Sequence, residues 1–365
     1  TGFGAPSGMC FYEGDALGPK FKNVALLAEA GKRELDFFRP QKRGSGMEAT
    51  SEAVLSSTDF YFRPDDVCAG PNGELYVADW YDGGVGGHAY NNREQGRIFL
   101  LHQRSNKLKS LARPGPFDRL VDAIEGLKSP NLATQFLARE RLLAEGQQSI
   151  AAVAQLLKDS DQNIRARALW VLDLLGGVGR ELVLQQLKSE DAAFRALAIR
   201  ILRRHGDDYT NDILKLADDS SEEVIREVLL AIRATHGAAT SAALSKIART
   251  YDGSDRYLLE AINIAVSDRK QELYERLVAD SAIEGGQLDL LQLLNPVVAR
   301  DRLRELLLKE EIDEKTFSPL LVVASAISDP EAGRILLEFI ARSSVGPEMK
   351  QRALETIATH LAGDW

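Results

Sequence analysis

Cysteine is the scarcest informative residue in this chain. Only Cys10 and Cys68 occur in 365 residues, too few for a disulfide framework, and neither lies in C-x-x-C or C-x-x-C-H spacing, so the chain carries no haem attachment motif. Two buried thiols are one reading of the pair, and a single disulfide in an oxidising compartment is the other. Long apolar runs are also missing. The longest, such as Ser318 to Ile327, has the length of a packed helix and falls short of the roughly 18 residues a membrane span needs. Positive charge is in deficit, with 45 Lys and Arg against 54 Asp and Glu and a net charge of -9. That balance gives no general pull toward phosphate backbones or anionic lipid, so no nucleic-acid partner and no transmembrane segment are expected. The chain opens Thr1-Gly2-Phe3-Gly4, with neither an initiator Met nor the basic and apolar regions of a signal peptide, and is expected to be a piece of something longer.

What is present is ample core material. Hydrophobic residues make up 44% and charged residues 27%, the balance of a folded protein, and the length calls for two domains or a repeat array. From Asn131 onward the apolar residues recur at helical spacing in segments of roughly ten to fourteen residues, separated by short Gly, Asp or Ser punctuation. A repeat emerges when Asn163-Ile164-Arg165-Ala166-Arg167-Ala168 is laid over Ala193-Phe194-Arg195-Ala196-Leu197-Ala198, Val224-Ile225-Arg226-Glu227-Val228-Leu229 and Asp255-Arg256-Tyr257-Leu258-Leu259. The aligned Arg165, Arg195, Arg226 and Arg256 are 30, 31 and 30 residues apart. An acidic, Ser-containing turn precedes each, as in Asp159-Ser160-Asp161 and Ser189-Glu190-Asp191, and such turns cap helix starts. Partner helices are expected at Ser149 to Leu157, Arg180 to Lys188, Thr210 to Ala217 and Thr240 to Ala248. Further helices are expected at Lys270 to Val278, Gln287 to Leu294, Val297 to Lys309, Thr316 to Ile327, Pro330 to Arg342 and Pro347 to Leu361. Hairpins of this length bury their apolar faces only by stacking, which predicts an α-solenoid of about six or seven units. These residues resemble the HEAT family, in which an Asp-x-x-x-Arg-x-x-Ala pattern opens the second helix. Asp161 to Arg165 and Asp191 to Arg195 keep that spacing, with Ala168 and Ala198 as the small residue; the third copy departs, with Glu222 and Leu229, and the fourth departs further. The arginine column is open to two readings: a ladder for a ligand, or pairs with the acidic caps that fix the repeat register.

Residues 1–104 differ in texture. Short alternating runs at Gly8 to Tyr12, Val24 to Ala28, Leu35 to Arg39, Glu74 to Trp80 and Gly96 to Leu101 imply strands, with a tight turn at Pro71-Asn72-Gly73. The segment Phe62-Arg63-Pro64-Asp65-Asp66-Val67-Cys68-Ala69-Gly70-Pro71-Asn72-Gly73-Glu74-Leu75-Tyr76-Val77-Ala78-Asp79 is similar to a blade signature of six-bladed propellers of the glucose/sorbosone dehydrogenase type, with Asn72 where Asp is commoner. Together with Trp80 to His88 and Gly96-Arg97-Ile98 it resembles the membrane-bound-dehydrogenase-like proteins of planctomycetes and verrucomicrobia. That resemblance implies a propeller running into HEAT repeats and then a cytochrome c domain, here beyond this chain.

The expected fold is therefore mixed and mainly α: the last one or two blades of an incomplete β-propeller over 1–104, a linker and first helix over 105–128, and the HEAT-type solenoid over 129–365. By the resemblance, the full-length protein is an extracytoplasmic, periplasmic quinoprotein-like sugar or alcohol dehydrogenase using pyrroloquinoline quinone (PQQ) and calcium. Its solenoid would dock its own cytochrome c domain, which holds the haem, or another protein. Such chemistry needs a base and a cation for quinone carboxylates, for which His88 and Arg63 are the candidates, and a hard cation held by oxygens, for which Asp79, Asp82 and Asp66 are the candidates. The structural alternatives are that Asp65, Asp66 and Asp79 make turn and inter-blade hydrogen bonds, and that His88 is an exposed loop residue after Gly83-Gly84-Val85-Gly86-Gly87. His102, His205, His236 and His360 fall at element ends and read as structural. The glycine run lacks the Lys-Ser or Lys-Thr of a phosphate loop, and no Ser-His-Asp arrangement stands out. The chain alone is expected to be catalytically silent, and the alternative function is a non-enzymatic protein- or glycan-binding scaffold.

Overall fold

The computed structural model describes residues 4–84, 94–103, 115–279, 287–309, 311–361, 363 and 365. The chain divides into two compact units: Thr1–Arg43 with Met47–Ser189, and Gly44–Gly46 with Glu190–Trp365.

The strands are β1 (Pro6–Tyr12), β2 (Val24–Glu29), β3 (Glu34–Phe38), β4 (Gln41–Arg43), β5 (Gly46–Glu48), β6 (Ser51–Ser56), β7 (Pro64–Ala69), β8 (Leu75–Asp79) and β9 (Arg97–Leu101). They form an antiparallel meander in the order β1-β2-β3-β6, a second one in the order β7-β8-β9, and the small β4-β5 hairpin. Such meanders are the building unit of propeller blades. The period-two pattern sends Cys10, Tyr12, Leu26, Ala28, Leu35 and Phe37 of the first sheet, and Val67, Ala69, Leu75 and Val77 of the second, into one shared core. On the opposite faces Met9, Phe11, Ile98 and Leu100 remain exposed. Tyr12, fully buried, donates its hydroxyl proton to the Gly73 carbonyl and so ties the end of β1 to the β7–β8 turn. Gly73 has φ +81°, a left-handed conformation that glycine adopts without strain.

β4, β5, β6 and β7 are absent from the strands expected above; the residues of β4 to β6 are mostly exposed or half-buried and leave little alternation to read. The expectation of two buried thiols holds for Cys10 alone: Cys68 sits on the outward side of β7 and is exposed, and both cysteines are free.

The first unit also holds α1 (Leu120–Leu127), α2 (Leu132–Glu145), α3 (Ile150–Gln155), α4 (Gln162–Leu175) and α5 (Val178–Gln185). Asn131 caps α2 by accepting the Thr134 amide at 2.8 Å, while its own amide group donates to the Ala69 carbonyl at 2.6 Å. Asn163 donates to the Asn23 side chain at 3.1 Å, and Arg167 pairs with Glu13. These bonds join sheet and first helices into one body.

The second unit contains α6 (Ala192–Leu202), α7 (Thr210–Leu214), α8 (Glu222–Ala231), α9 (Ala238–Thr250), α10 (Arg256–Val266), α11 (Lys270–Ala279), α12 (Leu288–Leu294), α13 (Pro296–Leu307), α14 (Glu314–Ala326), α15 (Pro330–Ala341) and α16 (Pro347–His360). Alternate helices stack: α6 on α8, α8 on α10, α10 on α12, α12 on α14 and α14 on α16 form one layer, and α7 on α9, α9 on α11 and α13 on α15 belong to the other. That is the repeat architecture the periodicity implies. Three of the four acidic turns cap as expected, and the third does not: Ser221, at the start of α8, makes no side-chain cap bond. Asp191 accepts the Ala193 amide at 2.9 Å, and Asp255 accepts those of Tyr257 and Leu258. In the first unit Asp161 does the same for Asn163.

Candidate functional site

In the first unit, the sequence-derived candidates fall around Asp79, the last residue of β8. Its carboxylate is buried and heavily engaged. Oδ1 accepts the backbone N–H of Arg63 at 2.8 Å and of Tyr81 at 2.9 Å, and Oδ2 accepts Arg97 Nε at 2.7 Å. Arg97 spans to Asp59 at 3.1 Å and lies 4.3 Å above the Tyr81 ring centroid. Holding the Tyr81 amide lets Tyr81, a non-glycine residue, keep φ +57°.

Arg63 is itself buried, and its guanidinium donates to the Phe62 carbonyl at 3.1 Å and covers the Phe60 ring. Burial, and then the nearby Arg33, push its pKa below the usual arginine value. Its Nε is buried without a hydrogen-bond partner.

Asp82 is buried and accepts the Gly84 amide at 3.1 Å, closing a turn. Asp66 is exposed on the outward side of β7 and accepts the amide of Val67. Among the described residues no three His, Cys, Asp or Glu side chains converge as a metal-ligand group. The trio Asp66, Asp79 and Asp82 expected to share a calcium ion is therefore not brought together. Asp79 is occupied by a guanidinium, and Asp66 lies on a different face of the sheet. His88 lies outside the described residues. His102 is half-buried and contacts the neighbouring Gln103 carbonyl, while His205 and His360 pack against Tyr209 and Trp365.

The second unit carries a cluster that no motif search singled out. Glu227 on α8, only 2% exposed, accepts from Arg200 at 2.7 Å, Arg203 at 2.9 Å and Arg226 at 3.0 Å. Burial opposes the Glu227 charge, but the three guanidiniums outweigh it and hold the carboxyl below its usual range. Arg226 also donates to the main-chain carbonyl of Ser45, whose N–H donates to Asp255 Oδ2 at 2.6 Å. The tripeptide Gly44-Ser45-Gly46 is thus gripped by its backbone. It must be glycine-rich: Gly44 has φ +55° and a Cβ there would lie 2.6 Å from the Asp255 carboxyl carbon, while one on Gly46 would strike the Tyr257 ring.

The arginine column is accordingly not uniform. Arg195 makes a two-pronged bond to Asp219 of the next acidic turn, both arms at 2.7 Å, which is the register-fixing pair. Arg226 instead binds a polypeptide segment. The only signal in the sequence for this difference was that the third repeat departs from the family pattern.

A domain of unknown function, DUF7133, matches residues 1–105. No curated protein matches the chain. Among solved structures, similarity is found to an engineered protein at 14% identity, covering 65% of this chain and 77% of that one, with a TM-score of 0.31. It is also found to the CpcE and CpcF complex of phycocyanin lyase from Nostoc sp. PCC7120 at 17% identity, covering 70% and 92%, with a TM-score of 0.23. A designed armadillo repeat protein matches at 17% identity, covering 66% and 99%, with a TM-score of 0.18. No helix among the described residues is long and apolar enough to cross a membrane.

Proposed function

We propose that this chain is a binding scaffold whose helical repeats hold extended polypeptide segments by their main chain. One observation carries the reading: in the second unit, Arg226 and Asp255, on consecutive helices of one layer, bind the carbonyl and the N–H of the same residue, Ser45. The grip is made to the main chain of Ser45 with a glycine on either side, and the same layer presents its helices at a regular repeat. In the first unit the engagement of Asp79 by Arg97 and two amides supports a structural use of that carboxylate.

The test is a selection of random display peptides against the intact chain, followed by hydrogen-exchange mapping of the best binder. Protection centred on α6, α8 and α10 supports the reading. Failure to enrich any peptide, or protection confined to other helices, refutes it.

A second reading is favoured by the segment Phe62 to Ile98, whose dehydrogenase-like motif coincides with β7, β8 and β9. Under it the chain belongs to an extracytoplasmic dehydrogenase, and its repeats dock the protein's own cytochrome domain or another electron acceptor. Asp66, Asp79 and Asp82 do not converge as a calcium-ligand group, so no redox step is assigned to them. Specific binding of a c-type cytochrome domain to this chain, with no peptide enriched in the random selection, would overturn the scaffold reading in favour of this one.

A further inference from the structure

The balance of charge around Glu227 points beyond a generic scaffold. Three guanidiniums meet one carboxylate there. Widening the circle adds Glu223, which acts on Arg200, Arg233, which acts on Arg203, and Asp255, which holds the same Ser45 as Arg226, so four positive charges face three negative ones. The excess stands out in a protein whose net charge is -9. It also differs from Arg195, which Asp219 neutralises one to one.

Excess charge in a partly dry site is costly. Arg203 shows the strain: burial, then repulsion from Arg233, Arg200 and Arg226, lowers its pKa despite contact with Glu227. Arg200 is the outlet, since its side chain is 40% exposed while one arm stays on Glu227. An incoming carboxylate could take a charge-assisted bond from that exposed guanidinium without displacing the existing pair.

Continuity supplies the geometry. Arg226 touches both Glu227 and the Ser45 carbonyl, so the backbone grip and the positive cluster share one residue. We infer that the surface at Arg200, backed by Arg203 and Arg226 and lying beside the held Ser45 segment, is the docking site for an acidic, extended segment of a partner protein, selected by Asp or Glu side chains that bond the exposed Arg200 guanidinium. This rests on the scaffold reading and adds to it the chemistry of the partner.

The probes are fluorescently labelled peptides of equal length, one rich in Glu, one with every Glu replaced by Gln, and one rich in Lys, titrated into the intact protein by anisotropy at low salt. The variants are Arg200→Gln and Arg200→Glu, which leave Glu227 paired with Arg203 and Arg226, and Arg302→Gln as a control at an exposed pair with Glu305. A urea melt of each variant checks folding. The Glu peptide should bind at least about tenfold more tightly than the Gln peptide, and the Lys peptide should not bind. Arg200→Gln should weaken the Glu peptide by about three- to tenfold, Arg200→Glu by more, and Arg302→Gln should leave it unchanged. Equal loss in Arg200→Gln and Arg302→Gln would overturn the site, since it would show only diffuse charge attraction. Equal binding of Glu and Gln peptides, with protection on α6, α8 and α10, would overturn the acidic preference and leave the scaffold reading standing. Binding of none of the peptides would overturn the acidic site, and only an additional failure of the random selection would remove the scaffold reading.

Discussion

Replacing Asp79 with Ala separates a structural carboxylate from a metal ligand. The carboxylate accepts from two main-chain donors, Arg63 N–H and Tyr81 N–H, and from Arg97. A buried donor left without an acceptor costs about 1–3 kcal/mol. Arg97 contributes less, because its side chain is 37% exposed and keeps Asp59; its share is at most about 1 kcal/mol. Asp79→Ala should therefore destabilise the first unit by roughly 2–5 kcal/mol. Asp79→Asn keeps one oxygen for the two amides and should cost about 1–2 kcal/mol. Urea unfolding followed by far-UV circular dichroism gives the loss, and hydrogen exchange of β7 and β8 peptides locates it. Running both with calcium chloride and with EDTA completes the design: a structural Asp79 gives the same loss in each. A stability unchanged by Asp79→Ala, or a loss seen only with calcium, would refute the reasoning.

Three further outcomes follow from the same structure. Burial pushes the Cys10 thiol up to about 12, leaving about one thiolate in ten thousand at pH 8, whereas Cys68 is exposed; a thiol reagent should label one cysteine in the native protein and the second only in urea, and rapid labelling of both would contradict this. Burial works against the Asp219 charge, but the Arg195 fork and the Ser221 amide outweigh it and hold its pKa below the usual range. The resulting stability is present above the unfolded value of about 4 and is lost as pH falls through the lower folded value; the gap in urea midpoint between wild type and Asp219→Asn should be clear at neutral pH and close below about pH 4, and a gap independent of pH would be wrong. Gly46→Ala drives a methyl into the Tyr257 ring and should loosen the backbone grip, read as faster exchange of the Ser45 amide; unchanged exchange would show that the grip does not depend on the close approach.

The helices were legible as amphipathic segments between turn residues, several of them opened by an acidic cap, as at Asp161, Asp191, Asp255, Asp313 and Asp329. Lys270 to Val278 was expected where α11 runs Lys270–Ala279, and Pro330 to Arg342 where α15 runs Pro330–Ala341. Core strands were legible for the same reason, since Val24, Leu26 and Ala28 alternate into the core. The edge strand β6 was not, because only Val54 and Leu55 of it are partly buried, against the sheet core, and they are neighbours that give no alternation. The candidate site was legible only as a set of residue types. Sequence marked Asp79 as special but could not say that Arg97, eighteen positions later, would occupy it.

The sequence alone determined the local periodicity: which residues cap, which face inward, and that repeats of about thirty residues must stack. Local spacing decides these, because caps and amphipathic faces are set within one or two turns of chain. The tertiary structure decided everything that depends on distant residues meeting. It assigned Asp79 to Arg97, kept Asp66 apart from Asp79 and Asp82, and set Arg195 against Asp219 while giving Arg226 to Ser45, 181 positions away. It also gathered three arginines on Glu227, from α6, the turn after it and α8. Two arginines at equivalent repeat positions thus do different work, because the chemistry of a guanidinium is fixed by its type but its role by whichever acceptor the fold brings within reach.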